Sequence, residues 1–245
     1  MLTSTCIAVI LLAILSGITT LIGVALAFYF KKSKKGIVTG LGFSAGIMLA
    51  ISFFELLPEA MGATSKLAAI SALILGFLLI FILHFIIPHT HLTEEKGKIG
   101  KITRIAFLVA FGMILHDLPE GFAMANSYIF APALGVLVAI SIALHNIPEE
   151  FAIAVPLVLT KKKGFLVKMA LLSALAEPAG AIAGLFAVSL APTLNPLFMA
   201  FAAGAMIFIS LNELLPLARV YKRINYFALG IAISLLVYLV LRFFI

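Results

Sequence analysis

Eight apolar runs, each long enough to cross a lipid bilayer, take up nearly all of this chain. A spanning helix needs roughly 20 apolar residues. Runs bounded by charges, proline or glycine fall at about 6–30, 36–61, 66–88, 104–125, 132–159, 165–190, 194–218 and 225–245. With 64% hydrophobic and 11% charged residues among 245, the chain carries more apolar surface than a water-soluble domain can hide, so lipid is its solvent. The expected fold is all-α: a polytopic, eight-helix membrane domain over 1–245, with no room for a separate soluble unit. Met1–Thr5 offers neither a basic leader nor a cleavage site, so the first run reads as a retained helix. The single cysteine, Cys6, excludes an internal disulfide and any CxxC metal or redox site.

The net charge of +7 points to lipid topology rather than to nucleic acid. Fifteen of the 17 basic residues fall in or beside alternate connections: Lys31, Lys32, Lys34, Lys35; Lys96, Lys98, Lys101, Arg104; Lys161, Lys162, Lys163, Lys168; Arg219, Lys222, Arg223. Only Lys66 and Arg242 fall on the other side. By the positive-inside rule these odd-numbered connections, including residues 89–103, are cytoplasmic, and both termini face outward.

Eight of the ten acidic residues lie inside the predicted spans: Glu55, Glu59, Asp117, Glu120, Glu149, Glu150, Glu177 and Glu213. An ionisable group at a helix centre costs about 2.5–3.5 kcal/mol on insertion scales, so it persists by pairing, by lining water or by binding something. No Lys or Arg falls near the midplane, so the missing positive charge comes from outside the chain, as metal ions, protons or both. Glu59 reads as a helix-end residue.

Two of these helices carry matching motifs, His116-Asp117-Leu118-Pro119-Glu120 and His145-Asn146-Ile147-Pro148-Glu149. His and Glu four apart share a helix face. An imidazole and a carboxylate from each helix form a donor set that suits zinc, iron(II), manganese or cobalt. Each proline frees a carbonyl and bends its helix, which is tolerated where backbone lines a cavity. Glu177, beside Pro178 in the sixth run, completes a second metal position with Asp117, Asn146 and shared Glu120 and Glu149.

A second repeat joins the two halves. Gly46-Ile47-Met48-Leu49-Ala50-Ile51-Ser52 precedes Glu55-Leu56-Leu57-Pro58, and Gly204-Ala205-Met206-Ile207-Phe208-Ile209-Ser210 precedes Glu213-Leu214-Leu215-Pro216. The helices bearing each pair point in opposite directions, so the repeats are inverted, the architecture of carriers with a midplane site. Glu55 and Glu213 fall near opposite mouths, either as relay carboxylates or as acids solvated at helix ends.

At these residues the chain resembles the ZIP (Zrt/Irt-like) metal transporters, especially the bacterial ZupT/GufA-like branch. The resemblance covers all eight spans, and its specific part is the paired His-(Asn/Asp)-x-Pro-Glu motif with Glu-Pro in the sixth. It implies an eight-helix homodimer in the plasma (inner) membrane that moves zinc, with iron, manganese, cobalt or cadmium as related cargo, into the cytoplasm. It implies a primary site of His116, Glu120, His145 and Glu149, an adjacent one using Asp117, Asn146 and Glu177, and a thioether, Met48, beside the first. The metal is cargo, not a prosthetic group, and the protein is not an enzyme. Two departures stand out. Asp117 replaces the more usual Asn, and Glu150 stands where Gly is common, on the face of Asn146.

Two rivals reuse the same residues. An intramembrane zinc hydrolase needs an open coordination position and a general base, but HExxH is absent and the twofold pattern serves no one-sided reaction. A proton-coupled carrier of a non-metal solute leaves the imidazole–carboxylate pairing without a purpose. His89 and His91 mark a short histidine-bearing connection, for which transient metal binding or sensing is one reading, and His84 reads as packing or interfacial.

Overall fold

The computed structural model describes residues 2–29, 33–90, 115–159 and 163–245. Eight spans succeed one another: α1 Leu2–Tyr29, α2 Lys34–Ala63, α3 Lys66–Thr90, α4 over 115–130, α5 Pro132–Leu159, α6 Lys163–Leu190, α7 Pro192–Val220 and α8 Ile224–Phe244. Among the described residues seven are long and apolar enough to cross a membrane, and α4 is described only from 115 onward. The rest of its predicted run, and nearly all of the 89–103 connection with His91, lie outside the described residues. The protein is an all-α, multi-pass membrane protein.

Polarity is turned inward. On α1, Ile7, Leu11, Leu15, Ile18 and Ile22 recur at helical spacing and are exposed, while Ser16 and Thr20 on the opposite face are buried. A lipid-facing apolar stripe backed by a polar one is what a bilayer solvent selects. Serines start two helices: Ser33 Oγ accepts from the Gly36 N–H at 3.4 Å, and Ser65 Oγ from Ala68 at 3.1 Å.

α4 runs to residue 130, five residues past the predicted end. Asn126 and Ser127 follow the predicted end directly. Their side chains donate back to the carbonyls of Phe122 (2.6 Å) and Met124 (3.1 Å), which partners the amide N–H and the hydroxyl within the helix as it continues.

The helices fall into two packed groups. α1 lies against α5 and α6, α2 against α8, and α3 against α7. α4 joins the first group by crossing α6 at backbone distance. A Cβ on Gly121 would stand 1.9 Å from the Glu177 carbonyl oxygen, and one on Gly180 would stand 2.1 Å from that of Leu118. Only glycine permits this approach. The groups meet where α2 touches α5 and where Phe122 on α4 sits edge-on to Phe198 and Phe201 of α7. Beside that second contact lies an apolar cleft of about 250 Å³, lined by Leu79, Leu83, Leu118, Phe122, Ala183 and Phe201.

The Gly-to-Pro repeat has a structural counterpart absent from the sequence expectations. Both copies contain one π turn, at Ser52–Leu56 and Ser210–Leu214. The Leu57 N–H reaches the Ser52 carbonyl and the Leu215 N–H reaches that of Ser210, five residues back in each case. Each turn is followed, with one residue between, by Pro58 or Pro216, whose rings crowd the preceding carbonyls. One wide turn absorbs that conflict without breaking the helix. The serines repeat as well: Ser52 Oγ donates to the Met48 carbonyl at 2.8 Å, and Ser210 Oγ to that of Met206 at 2.9 Å.

Candidate metal centre

Five carboxylates and two imidazoles gather where α4, α5 and α6 face one another. His116, Asp117, Glu120, His145, Glu149, Glu150 and Glu177 are all 3% exposed or less. The His-x-x-x-Glu spacing puts each imidazole one turn from its carboxylate, and the α4–α6 crossing draws Glu177 into the same space.

The four residues of the primary set interlock. His145 Nε2 lies 3.1 Å from Glu120 Oε1 and 4.0 Å from Glu149 Oε2. His116 Nε2 lies 3.2 Å from both Glu149 Oε1 and Asp117 Oδ1. Glu149 therefore bridges the two imidazoles.

The proton of His145 can be placed by chemistry. Its Nδ1 lies 3.0 Å from the Ser141 carbonyl, which only accepts, so Nδ1 carries the hydrogen. When the ring is neutral, as a metal ligand must be, its Nε2 lone pair faces Glu120 and two acceptors oppose each other across 3.1 Å. A bare contact of this kind is repulsive, and a cation between the two groups makes it attractive. A ligating histidine held by an outer carbonyl is the usual arrangement at metal sites.

Unmet acceptors mark the same space. Glu120 Oε2, both oxygens of Glu149, Glu150 Oε2 and Glu177 Oε2 are buried without a hydrogen-bond donor. Buried carboxylate oxygens without donors are costly, and a cation satisfies several together. Two sets of three ligand atoms lie within 4.8 Å of one another: His116, Asp117, Glu150, and Asp117, Glu120, Glu177.

Asn146 joins the cluster as a donor. Its Nδ2 gives a hydrogen bond to Glu177 Oε1 at 2.6 Å and lies 3.3 Å from Ser16 Oγ on α1. Met48 is fully buried one turn beyond Ser44, whose hydroxyl donates to the His145 carbonyl at 2.9 Å. The Met48 sulfur lies 3.6 Å from Ser210 Oγ.

Glu55 and Glu213 stand apart, each in a π turn and each with a neighbour of its own. Glu55 is buried, accepts from the Tyr238 hydroxyl, and pairs with Arg242 Nε at 3.1 Å. A basic residue thus does serve one of the intramembrane acids. Arg242 sits at the end of α8, a place that charge counting assigned to topology alone. Glu213 lies 3.6 Å from His84 Nδ1, and that ring also meets Phe208 edge-on at 5.9 Å. His84, read from the sequence as packing or interfacial, thus also faces an acid. Half of the Arg242 side chain is exposed, so its pair is worth less than a sealed one. Arg242→Gln is expected to cost about 1 kcal/mol of stability, and adding Glu55→Gln to recover most of it. A double-mutant cycle of thermal melts measures both.

Sequence reasoning passed over four serines: Ser16, Ser44, Ser141 and Ser173. Ser173 was legible in principle, because it precedes Glu177 by four and so shares its face. Ser44 and Ser141 act through carbonyl contacts that no side-chain pattern reveals.

The family model described as ZIP zinc transporter matches residues 87–239. The zinc transporter ZupT of Corynebacterium aurimucosum is 40% identical over 228 residues, covering 84% of this chain and 85% of that protein. The ZupT of Chlorobium limicola is 39% identical, covering 87% and 89%. That of Streptococcus mutans is 34% identical, covering 93% of each chain.

Proposed function

We propose, from the premise that this chain belongs to the ZIP zinc transporter family, that it carries zinc across the plasma membrane into the cytoplasm, with iron(II), manganese, cobalt and cadmium as related cargo. The family is one of transporters, not enzymes. The observation that carries the reading is the sealed group of carboxylate oxygens without donors, beside which, among the described residues, stand histidine rings and no Lys or Arg.

Zinc sheds its water onto His116, Glu120, His145 and Glu149, two nitrogens and two carboxylates, a tetrahedral set this ion accepts readily. A second ion shares Glu120 with Asp117 and Glu177, and Asn146 keeps Glu177 oriented through their 2.6 Å hydrogen bond. Glu55 and Glu213 act as relay acids at the two mouths, and Met48 lends a soft donor near the His145 backbone. The single eight-helix unit sits with both termini outside the cytoplasm, as its basic connections favour, and works as a homodimer.

Titration of purified protein in detergent tests the ligand set. Wild type binds zinc stoichiometrically, and His116→Ala with His145→Ala abolishes that binding. Undiminished zinc binding by the double variant would defeat the proposal, and uptake of an organic solute without zinc binding would favour the non-metal carrier.

A further inference from the structure

Asp117 and Glu150, the two departures from the family's usual motif, meet on one side of the cluster around a single hydroxyl. Ser173 Oγ, fully buried on α6, donates to Asp117 Oδ2 and lies 3.3 Å from Glu150 Oε1. One hydroxyl proton cannot serve two carboxylates together. Glu150 is 1% exposed and its second oxygen, Oε2, has no donor at all. Ligand atoms of Asp117, Glu150 and His116 lie within 4.8 Å of one another.

The donors differ in kind from those of the primary set. There, two imidazole nitrogens face two carboxylates. Here, two carboxylates and a hydroxyl supply oxygen, with one imidazole at the rim, whose Nε2 is 3.2 Å from Asp117 Oδ1. Oxygen donors suit manganese(II) and harder ions, whereas added nitrogen favours zinc.

We propose that Asp117, Glu150 and Ser173, with His116 at the edge, form a further cation position that takes an oxygen-preferring divalent ion, manganese(II) being the transition metal that fits it best. The inference rests on the metal-carrier reading above but adds Glu150 and Ser173, which neither position described there uses. Asp117 belongs to both sets of three, so it links this position to the one built on Glu120 and Glu177.

The test measures manganese(II) and zinc separately on purified full-length protein, manganese by the loss of its free paramagnetic resonance signal and zinc by equilibrium dialysis. Wild type binds manganese. Glu150→Gln and Ser173→Ala each weaken manganese at least about tenfold and zinc by clearly less, as expected when a ligand or its support is lost. Should Glu150→Gln not fold, Glu150→Gly and Ser173→Ala carry the same comparison. Manganese affinity within twofold of wild type in these variants overturns the proposal, as do equal losses of both metals or a wild type that binds no manganese. His145→Ala is the separate arm: if it leaves zinc binding intact, the primary-site reading fails whatever manganese does.

Discussion

Glu120→Gln is expected to abolish zinc uptake while making the metal-free protein more stable. Glu120 is fully buried and turns an acceptor toward the His145 Nε2 lone pair at 3.1 Å. The amide of glutamine, nearly the same shape, brings an N–H to that lone pair and removes a charge from a site that already holds four other acids. A repulsive contact becomes a hydrogen bond worth about 1 kcal/mol. The metal loses a ligand shared between two positions, so initial uptake into proteoliposomes should fall on the order of 100-fold. Thermal melts in detergent provide the second readout. Added zinc stabilises wild type by about 2.7 kcal/mol at 100 times its dissociation constant, and the variant should show almost none of this. Wild-type uptake, or a metal-free variant that melts earlier than wild type, contradicts the assignment.

Gly121→Val should be as damaging without altering any ligand. The first added carbon meets the Glu177 carbonyl oxygen at 1.9 Å, and backbone cannot rotate away as a side chain can. α4 and α6 must separate, which costs about 3 kcal/mol or more where overpacking cannot relax. Because Glu120 and Glu177 ride on opposite sides of that crossing, zinc affinity falls together with stability. Gly180→Ala, 2.1 Å from the Leu118 carbonyl, should act in the same direction. A Gly121→Val protein that melts and binds zinc like wild type would show that the crossing does not set the site.

The spans were legible because lipid leaves the sequence few choices: long apolar runs between basic connections can hardly be read otherwise. The His–Glu pairs were legible because helical periodicity places residues four apart on one face, and two copies make coincidence improbable. Contacts that depend on how helices approach one another escaped notice. Arg242 is 187 positions from Glu55 in the chain, and only the packing of α8 on α2 brings them together. Ser16 reaches Asn146 because α1, a helix without charged residues, packs on α5. The π turns escaped for a different reason. Proline at 58 and 216 was visible, but a sequence does not say whether a helix answers such a ring by kinking or by widening a turn.

Those widened turns bear on how sequences of this kind should be compared. A π turn amounts to one surplus residue in a helix, and each residue rotates the remainder of the helix by about 100°. In both halves the serine, the acid and the proline keep the same intervals, so each acid emerges at a matching azimuth. Shortening or lengthening either interval by one would aim a different side chain where Glu55 or Glu213 now stands, with every neighbouring helix unmoved. Spacing within that segment, more than residue identity, is therefore what an alignment should preserve.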